Sequence, residues 1–171
     1  GILAPADQAA AVRELLRSRP YLDPARVGVW GHSGGGSMSL HAIFRYPELY
    51  RVAMALAFVA DQRLYDTIYQ ERYMGLPDDN VHGFTDGSPI AHAAGLQGKL
   101  LIVYGTGDDN CHYQNCEVMV NELIRLNKPF SQVSYPNRSH SIDEGTNTKR
   151  HLYSTMTRFL HEHLPLTPAA K

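Results

Sequence analysis

A run of apolar residues that breaks into glycines around one serine constrains this chain more than any other stretch. It reads Arg26-Val27-Gly28-Val29-Trp30-Gly31-His32-Ser33-Gly34-Gly35-Gly36. The apolar part predicts a strand, and Ser37–Phe44 has the spacing of a helix. Gly31 and Gly35 flank Ser33 in the pattern Gly-x-Ser-x-Gly. The turn between strand and helix in this motif is so sharp that we expect side chains at both glycine positions to collide. The stretch therefore predicts a nucleophile elbow with the Ser33 hydroxyl exposed.

Two other interpretations fit a glycine-rich connection between a strand and a helix. One is an ordinary αβ connection, and the other is a phosphate-binding loop. The stretch lacks the lysine of a P-loop and the Gly-x-Gly-x-x-Gly register of a dinucleotide-binding loop, which argues against phosphate. The strand before Ser33 and the helix after it favour a nucleophilic serine.

Length and composition restrict the class of protein. The 171 residues are 43% hydrophobic and 19% charged, which fits one globular domain with a sizeable core. A net charge of -1 gives no electrostatic reason to expect nucleic acid or an anionic membrane as partner. No run approaches the ~18 apolar residues of a transmembrane helix. Gly1–Asp7 does not resemble a signal peptide. This start suggests a chain cut within a domain. The cellular compartment stays unknown.

Cysteine and histidine give no sign of a metal or cofactor site. Cys111 and Cys116 are five residues apart, which matches no strong zinc or redox spacing, so we expect two free thiols. Four of the nine histidines, in the middle loop and the C-terminal helix, are interpreted as solvated surface residues: His82, His92, His161 and His163. We therefore expect neither a metal nor a cofactor.

Strand and helix patterns alternate along the chain. Strands are predicted at Val27–Trp30, Arg51–Val59, Lys99–Tyr104 and Phe130–Tyr135, the last as an edge strand. Helices are predicted at Pro5–Arg19, after Ser33 as far as Pro47, at Cys116–Asn127 and at Thr148–Leu164. Arg51–Val59 is continuously apolar, as expected for a strand covered on both faces. Between these elements, Ala60–Gly98 is predicted to be a long irregular segment with one helical piece at Tyr65–Glu71 and a turn at Ser88–Pro89.

This alternation predicts an α/β fold whose parallel sheet has helices on both faces and its chemistry at the carboxyl ends of the strands. Three residues satisfy that rule. Ser33 follows the first strand, Asp108 the third, and His140 lies after the fourth, in the order Ser, Asp, His of α/β-hydrolases. The chemistry requires all three, because an imidazole must take the serine proton and a carboxylate must orient that imidazole.

Each partner of Ser33 has a structural alternative. Asp108 could be a turn residue or a helix cap, as could Asp109 or Asn110, since Asp and Asn favour such places. His140 competes with eight other histidines and is selected by its position after the last strand. His32 and His41 flank the elbow, where structural roles are the expected ones.

Four motifs occur in order and together resemble a known family. They are Gly31–Gly35, Tyr65–Gly75, Gly105–His112 and Ser139–Ile142. The chain resembles the C-terminal catalytic part of dipeptidyl peptidase IV-like enzymes of the prolyl oligopeptidase family, over about Val27 to Leu164. The stretch Tyr-Asp-x-x-Tyr-x-Glu-Arg-Tyr-Met-Gly is the specific part, because generic α/β-hydrolases lack it. Without the family, its tyrosines are an aromatic stripe, which is more often simple packing.

The resemblance implies the C-terminal half of an α/β-hydrolase fold, a three-layer sandwich of about four mostly parallel strands. It implies a serine peptidase that cleaves peptides after Pro or Ala, with Ser33, Asp108 and His140 as the triad. The backbone N–H of Gly34 would stabilise the oxyanion. The substrate-binding residues it implies are Val59, Tyr65, Tyr69, Asn110 and Cys111. Three positions depart from relatives: Gly34, where some have Tyr; Gln62, where animal relatives have Trp; and Cys111, where these have Val.

The resemblance also indicates what we expect outside residues 1–171. We expect one partial α/β-hydrolase domain here, with the upstream strands, a tyrosine donor of the oxyanion hole and a β-propeller not included. An elbow strand without its upstream neighbours has an unpaired edge, so a homo-oligomer is expected. Two alternatives remain, a small-ester serine hydrolase with the same triad and a truncated domain without catalytic activity.

Overall fold

The computed structural model describes residues 2–165, which form a four-stranded parallel sheet with six α-helices around it. The strands are β1 (Gly28–His32), β2 (Val52–Leu56), β3 (Lys99–Gly105) and β4 (Ser131–Tyr135). The helices are α1 (Leu3–Ser18), α2 (Gly34–Arg45), α3 (Thr67–Met74), α4 (Val81–Asp86), α5 (Gln114–Arg125) and α6 (Thr148–His163). The strands lie in the order β1-β2-β3-β4, and each neighbouring pair is parallel.

The two central strands bury both of their faces. Along β3, Leu100 and Ile102 belong to the hydrophobic cluster that contains α2 and α5, whereas Leu101 and Val103 belong to the cluster that contains α6. This alternation follows from the two-residue period of a strand. All five residues of β2 are buried, so the predicted strand covered on both faces is confirmed. The helices lie on both sides of the sheet, as the α/β prediction requires.

The ends of the predicted elements shift by a few residues. The strand predicted at Arg51–Val59 ends at Leu56, because the next residue, Ala57, has a positive φ of 45° that turns the chain out of the sheet. Ala57, Phe58 and Val59 stay buried below the elbow, which explains why the apolar run continues past the strand.

The prediction of an irregular segment at Ala60–Gly98 was wrong in extent. Most of it is helical: α3, α4 and two short 3₁₀ helices at Gln62–Leu64 and Pro89–Gly95 occupy it. Side-chain caps start α3 and α4. The Asp66 carboxylate accepts from Tyr69 N at 2.8 Å, and the Asn80 side chain accepts from Gly83 N at 3.1 Å. Gly75 ends α3 with a φ of 73°.

The loops that follow β3 and β4 pack directly against each other. A Cβ at Gly105 would lie 2.2 Å from the Arg138 carbonyl oxygen, so only glycine permits this approach. Gly107 N donates to the same carbonyl oxygen at 3.1 Å. This contact holds the segment after β3, which carries Asp108, beside the segment after β4, which carries His140.

Strand β1 lies at one end of the sheet and pairs only with β2 among the described strands. Its Trp30 side chain is in register with Met54 and is 54% exposed. Beside it lies a cavity of about 370 Å³ that Met54, Leu160 and Leu164 also line. This face of β1 is therefore apolar and open.

Candidate active site

Ser33 lies at a sharp turn between β1 and α2, with a φ of 59° that non-glycine residues rarely adopt. Crowding explains two of the surrounding glycines. A Cβ at Gly31 would lie 2.3 Å from backbone atoms of Gly35, and a Cβ at Gly36 would lie 2.5 Å from the Leu56 carbonyl oxygen. A Cβ at Gly35 would meet no atom within 4 Å, so our expectation of a collision there was wrong. The tight contact is between position 31 and the Gly35 backbone, and there is room for a side chain at position 35 itself.

Asp108 and His140 form a hydrogen-bonded pair. The Asp108 Oδ2 accepts from His140 Nδ1 at 2.8 Å, and the Asp108 side chain is completely buried. The other carboxylate oxygen, Oδ1, accepts from the backbone nitrogens of Asn110 at 3.0 Å and Cys111 at 2.9 Å. Both carboxylate oxygens therefore have partners, and the carboxylate has the orientation that fixes the imidazole with its proton on Nδ1. Asp109 and Asn110, the alternatives considered above, make no such contact with His140 among the described side chains.

Two further contacts hold the segment that carries His140. The His32 Nε2–H donates to the His140 backbone carbonyl at 2.7 Å, and the two rings lie 4.6 Å apart. The Glu144 carboxylate accepts from the backbone nitrogen of Ser139 at 3.0 Å. The side chain of Ser139 contributes most, and nearby backbone N–H groups contribute less, to lowering the pKa of Glu144 to about 2, so this carboxylate is ionised at neutral pH. Sequence reasoning had assigned His32 a structural role and had not considered Glu144.

Ser33 and His140 are not hydrogen-bonded to each other among the contacts of residues 2–165. Ser33 and the Cys111 thiol line the same cavity. Burial raises the pKa of Cys111 to about 11, and the nearby Ser33 hydroxyl opposes this increase only in part. The thiol is therefore neutral and is no competing nucleophile.

Gly34 is the first residue of α2, so its backbone N–H has no acceptor within the helix. That N–H directly follows Ser33, which is the position of one oxyanion-hole donor in a nucleophile elbow. The position therefore agrees with the donor role predicted for Gly34.

A cavity of about 460 Å³ opens beside Ser33. Of the substrate-binding residues predicted above, Val59, Tyr65, Tyr69 and Cys111 line it, together with Gly34. Asn110 does not line the cavity itself, but its Oδ1 accepts from the Tyr65 hydroxyl at 2.8 Å. Its amide nitrogen therefore stays available as a donor.

Gln62, whose departure from relatives bears on the shape of the pocket, and Tyr73 of the aromatic stripe also line the cavity. Sequence reasoning did not assign the remaining lining residues to it: Ser37, Met38, His41, Gln70 and Met74. The Ser37 hydroxyl bonds both the backbone nitrogen and the carbonyl oxygen of Val59 at 2.9 Å, which fixes Val59 at the cavity wall. Ser33, Ser37 and His41 are four residues apart, a spacing that brings side chains to one face of a helix. That spacing was the signal available in the sequence.

No group of three or more His, Cys, Asp or Glu residues in the described part of the chain is arranged to hold a metal ion. None of the helices within residues 2–165 combines the length and apolar character of a membrane-spanning helix. Cys111 and Cys116 are both free and buried.

Comparison with known proteins relates this arrangement to peptidases. The sequence model described as the prolyl oligopeptidase family matches residues 4–167. Over 165 residues the chain is 33% identical to mouse (Mus musculus) prolyl endopeptidase FAP. Over 167 residues it is 34% identical to venom dipeptidyl peptidase 4 of Vespa velutina. These alignments cover 95% of this chain but 21% of each relative, so the chain spans about a fifth of their length.

A solved structure agrees with these relatives. The crystal structure of Porphyromonas gingivalis dipeptidyl peptidase 4 superposes with a TM-score of 0.91 at 40% sequence identity. The match covers 95% of this chain and 23% of that protein. The parallel sheet and its helices therefore have the fold of a dipeptidyl peptidase catalytic region.

Proposed function

This chain belongs to the prolyl oligopeptidase family, and from that premise we propose that it carries the catalytic residues of a serine peptidase that cleaves peptide bonds after proline or alanine. In this proposal Ser33 is the nucleophile, His140 the general base and then the general acid, and Asp108 the residue that orients His140. Gly34 N–H stabilises the oxyanion. The observation that carries the proposal is the buried Asp108–His140 pair beside the nucleophile elbow.

The reaction begins with a rotation of Ser33 about its Cα–Cβ bond. This rotation brings Oγ to His140 Nε2, because hydrogen bonds of a catalytic site often form fully only when substrate is in place. Nε2 then takes the hydroxyl proton while Oγ attacks the substrate carbonyl carbon. The Asp108 carboxylate stabilises the imidazolium that results.

The tetrahedral intermediate then breaks down. Its oxyanion accepts from the N–H of Gly34, and His140 returns the proton to the leaving amine as the peptide bond breaks. The same histidine next removes a proton from the water that attacks the acyl-enzyme, and Ser33 recovers its own proton when the acid leaves. These steps account for every proton that is transferred, without a further group.

The walls of the cavity favour a substrate with a small, rigid residue before the cleaved bond. The Tyr65 and Tyr69 rings pack edge to face with centroids 5.6 Å apart, and Val59 lies beside them. Apolar aromatic walls of this kind suit a proline ring or an alanine methyl group. Asn110, fixed by Tyr65 through its Oδ1, donates its amide N–H to a substrate carbonyl.

We also propose that residues 1–171 belong to one α/β-hydrolase domain and that a second copy of the chain covers β1. Within residues 2–165 one edge of β1 has no strand partner and Trp30 is exposed, and both features support this association, because such an edge is a template for pairing with another chain.

The test combines covalent labelling with turnover. A fluorophosphonate probe should label Ser33, and Ser33→Ala should remove the label. The protein should hydrolyse Gly-Pro and Ala-Pro anilides, and an N-blocked Gly-Pro anilide should show whether a free amino group is required. If the probe labels Ser33 and the protein hydrolyses small esters but not these anilides, the protein is an esterase and the peptidase proposal is wrong. Absence of labelling would indicate a domain without catalytic activity.

A further inference from the structure

The loop between β4 and α6, which carries His140, adopts the left-handed backbone conformation at four residues. The residues with positive φ are Asn137 (56°), Ile142 (52°), Gly145 (79°) and Asn147 (66°). Glycine has no Cβ and asparagine tolerates this conformation, so three of the four adopt it at low cost. Ile142 is β-branched, and for such a residue a positive φ is a genuine outlier. A strained residue of this kind persists only where the surrounding structure holds it in place.

Burial of the Ile142 side chain keeps its backbone in this conformation. The residue is 0% exposed and belongs to the hydrophobic cluster that contains Val103 of β3 and Leu152 of α6. The stabilisation from burying a large aliphatic side chain is of the same order as the cost of one strained backbone residue. The side chain therefore fixes the chain at a point two residues after His140.

His140 lies at a corner of the turn that Ile142 closes. The Ile142 backbone nitrogen donates to the Ser139 carbonyl oxygen at 3.2 Å, so His140 is one of the two central residues of the turn. The Glu144 carboxylate accepts from Ser139 N at 3.0 Å and from Asp143 N at 3.2 Å. These bonds connect the two ends of the turn, so a movement at Ile142 is transmitted to His140.

The turn directs two nearby side chains to different places. The His140 ring bonds the buried Asp108 carboxylate in the candidate active site, whereas the Ile142 side chain enters the cluster that contains α6. In an extended segment, residues two apart point to the same side of the chain. The turn and the left-handed backbone at Ile142 replace that arrangement. The same short segment can therefore anchor itself in the core and present an imidazole to the site.

We propose that Ile142 is a positioning residue for the reaction, because its buried side chain holds the strained turn in the conformation in which His140 Nδ1 meets Asp108. The inference rests on the proposed peptidase function. Ile142 does not line the substrate cavity, so it acts through His140 and not on the substrate. Loss of its side chain lets the turn relax, which lowers kcat and leaves KM nearly unchanged.

The experiment compares kcat, KM and the melting temperature (Tm) of three variants of Ile142, with Gly-Pro anilide as substrate. Ile142→Ala removes the anchor and should lower kcat about tenfold, since a misplacement of ~1 Å can cost even more. Ile142→Val keeps a β-branched buried side chain and should retain about half of the wild-type kcat. The rate at which a fluorophosphonate labels Ser33 should fall in the same order, because labelling needs the same base.

Ile142→Gly separates this role from a purely structural one. At an ordinary position glycine lowers Tm further than alanine, because it has more freedom in the unfolded chain. At a left-handed position that order is reversed, since glycine adopts the backbone without strain. Ile142→Gly should therefore have a higher Tm than Ile142→Ala but no higher kcat. A residue that only stabilises the fold would leave kcat of both folded variants at the wild-type value.

Leu152→Ala is the matched control, because Leu152 lies in the same cluster, on α6, and is 5% exposed. It should lower Tm to a similar extent as Ile142→Ala and leave kcat unchanged at temperatures where the protein is folded. If Ile142→Ala does not fold, Ile142→Val and Leu152→Val replace this pair. Their expected kcat is about half of the wild-type value for the first and the full value for the second.

Three results overturn the inference while the proposed function stands. They are a wild-type kcat in the folded Ile142 variants, an equal loss of kcat in the matched Leu152 variant, and a lower Tm for Ile142→Gly than for Ile142→Ala. Absence of both fluorophosphonate labelling and Gly-Pro turnover in the wild-type protein overturns the proposed function, and this inference with it.

Discussion

The imidazole of His32 donates from Nε2 to the backbone carbonyl of His140 at 2.7 Å, across 108 positions of sequence. The residue directly before the nucleophile thus holds the backbone of the proposed general base. Because His32 is the last residue of β1 and His140 follows β4, this bond connects the segments that follow the first and the last strand of the sheet. His32 is therefore a positioning residue for His140.

We expect His32→Phe to lower kcat by about five- to tenfold, since one neutral hydrogen bond contributes ~1 kcal/mol. KM for Gly-Pro anilide should change little, because His32 does not line the substrate cavity. Exposed His82 serves as control, and His82→Phe should leave both constants unchanged. An equal effect of the two substitutions would contradict the positioning role.

Ser33 and His140 should behave as one unit. Ser33→Ala and His140→Ala should each remove nearly all turnover above background, and the double variant should lose little more, because neither residue is useful without the other. Steady-state kinetics on Gly-Pro anilide measure this. Losses that multiply in the double variant would show that the residues act independently.

Glu144→Gln should reduce kcat/KM by a few-fold, because a neutral amide accepts from Ser139 N more weakly than the ionised carboxylate does. The pKa of Glu144 is lowered to about 2, mainly by the Ser139 side chain, so the contacts of its ionised carboxylate with this loop are complete above the ordinary carboxyl pKa of ~4.5 and are lost as the pH falls towards 2. The control is Glu122→Gln, which removes an exposed helical ion pair with Arg125 far from this loop. If both variants retain wild-type kcat/KM, Glu144 does not position His140.

His41 should make the protein more sensitive to acid. Burial lowers its pKa to about 4 in the folded protein, whereas the pKa is ~6.5 when unfolded, so between these values only the unfolded chain binds the proton. The stability due to the neutral ring is complete above pH ~6.5 and is lost as the pH falls towards 4. Denaturant unfolding should show that the wild type loses about 2 kcal/mol more than His41→Leu between pH 7 and pH 5. Parallel losses in the two proteins would mean that His41 is not protected from protonation.

The 171-residue chain should self-associate through β1. Light scattering at micromolar concentration should give a mass above 19.1 kDa, and Trp30→Glu should shift the distribution towards monomer. Leu3→Glu, which replaces an exposed apolar side chain on α1 instead of β1, should leave the distribution unchanged. A monodisperse monomer of the wild-type chain would contradict this prediction.

Much of the sheet and the candidate site could be predicted from local sequence. The glycines around Ser33, the continuous apolar run of β2 and the chain order of Ser33, Asp108 and His140 each reflect a constraint that acts within a few residues or through topology. The sequence also contained the caps Asp66 and Asn80, and their neglect led to the irregular segment predicted at Ala60–Gly98.

Other features depend on contacts between distant segments, and only the tertiary structure decided them. The sequence determined the elbow, the parallel α/β alternation and the three residues of the proposed triad, because strand period, glycine sterics and turn chemistry are local. The bond from His32 to His140 and the unpartnered Nδ1 of His41 arise only when separate strands and helices pack. A side chain's partner across the fold has no fixed spacing along the chain, so no pattern in the sequence encodes it.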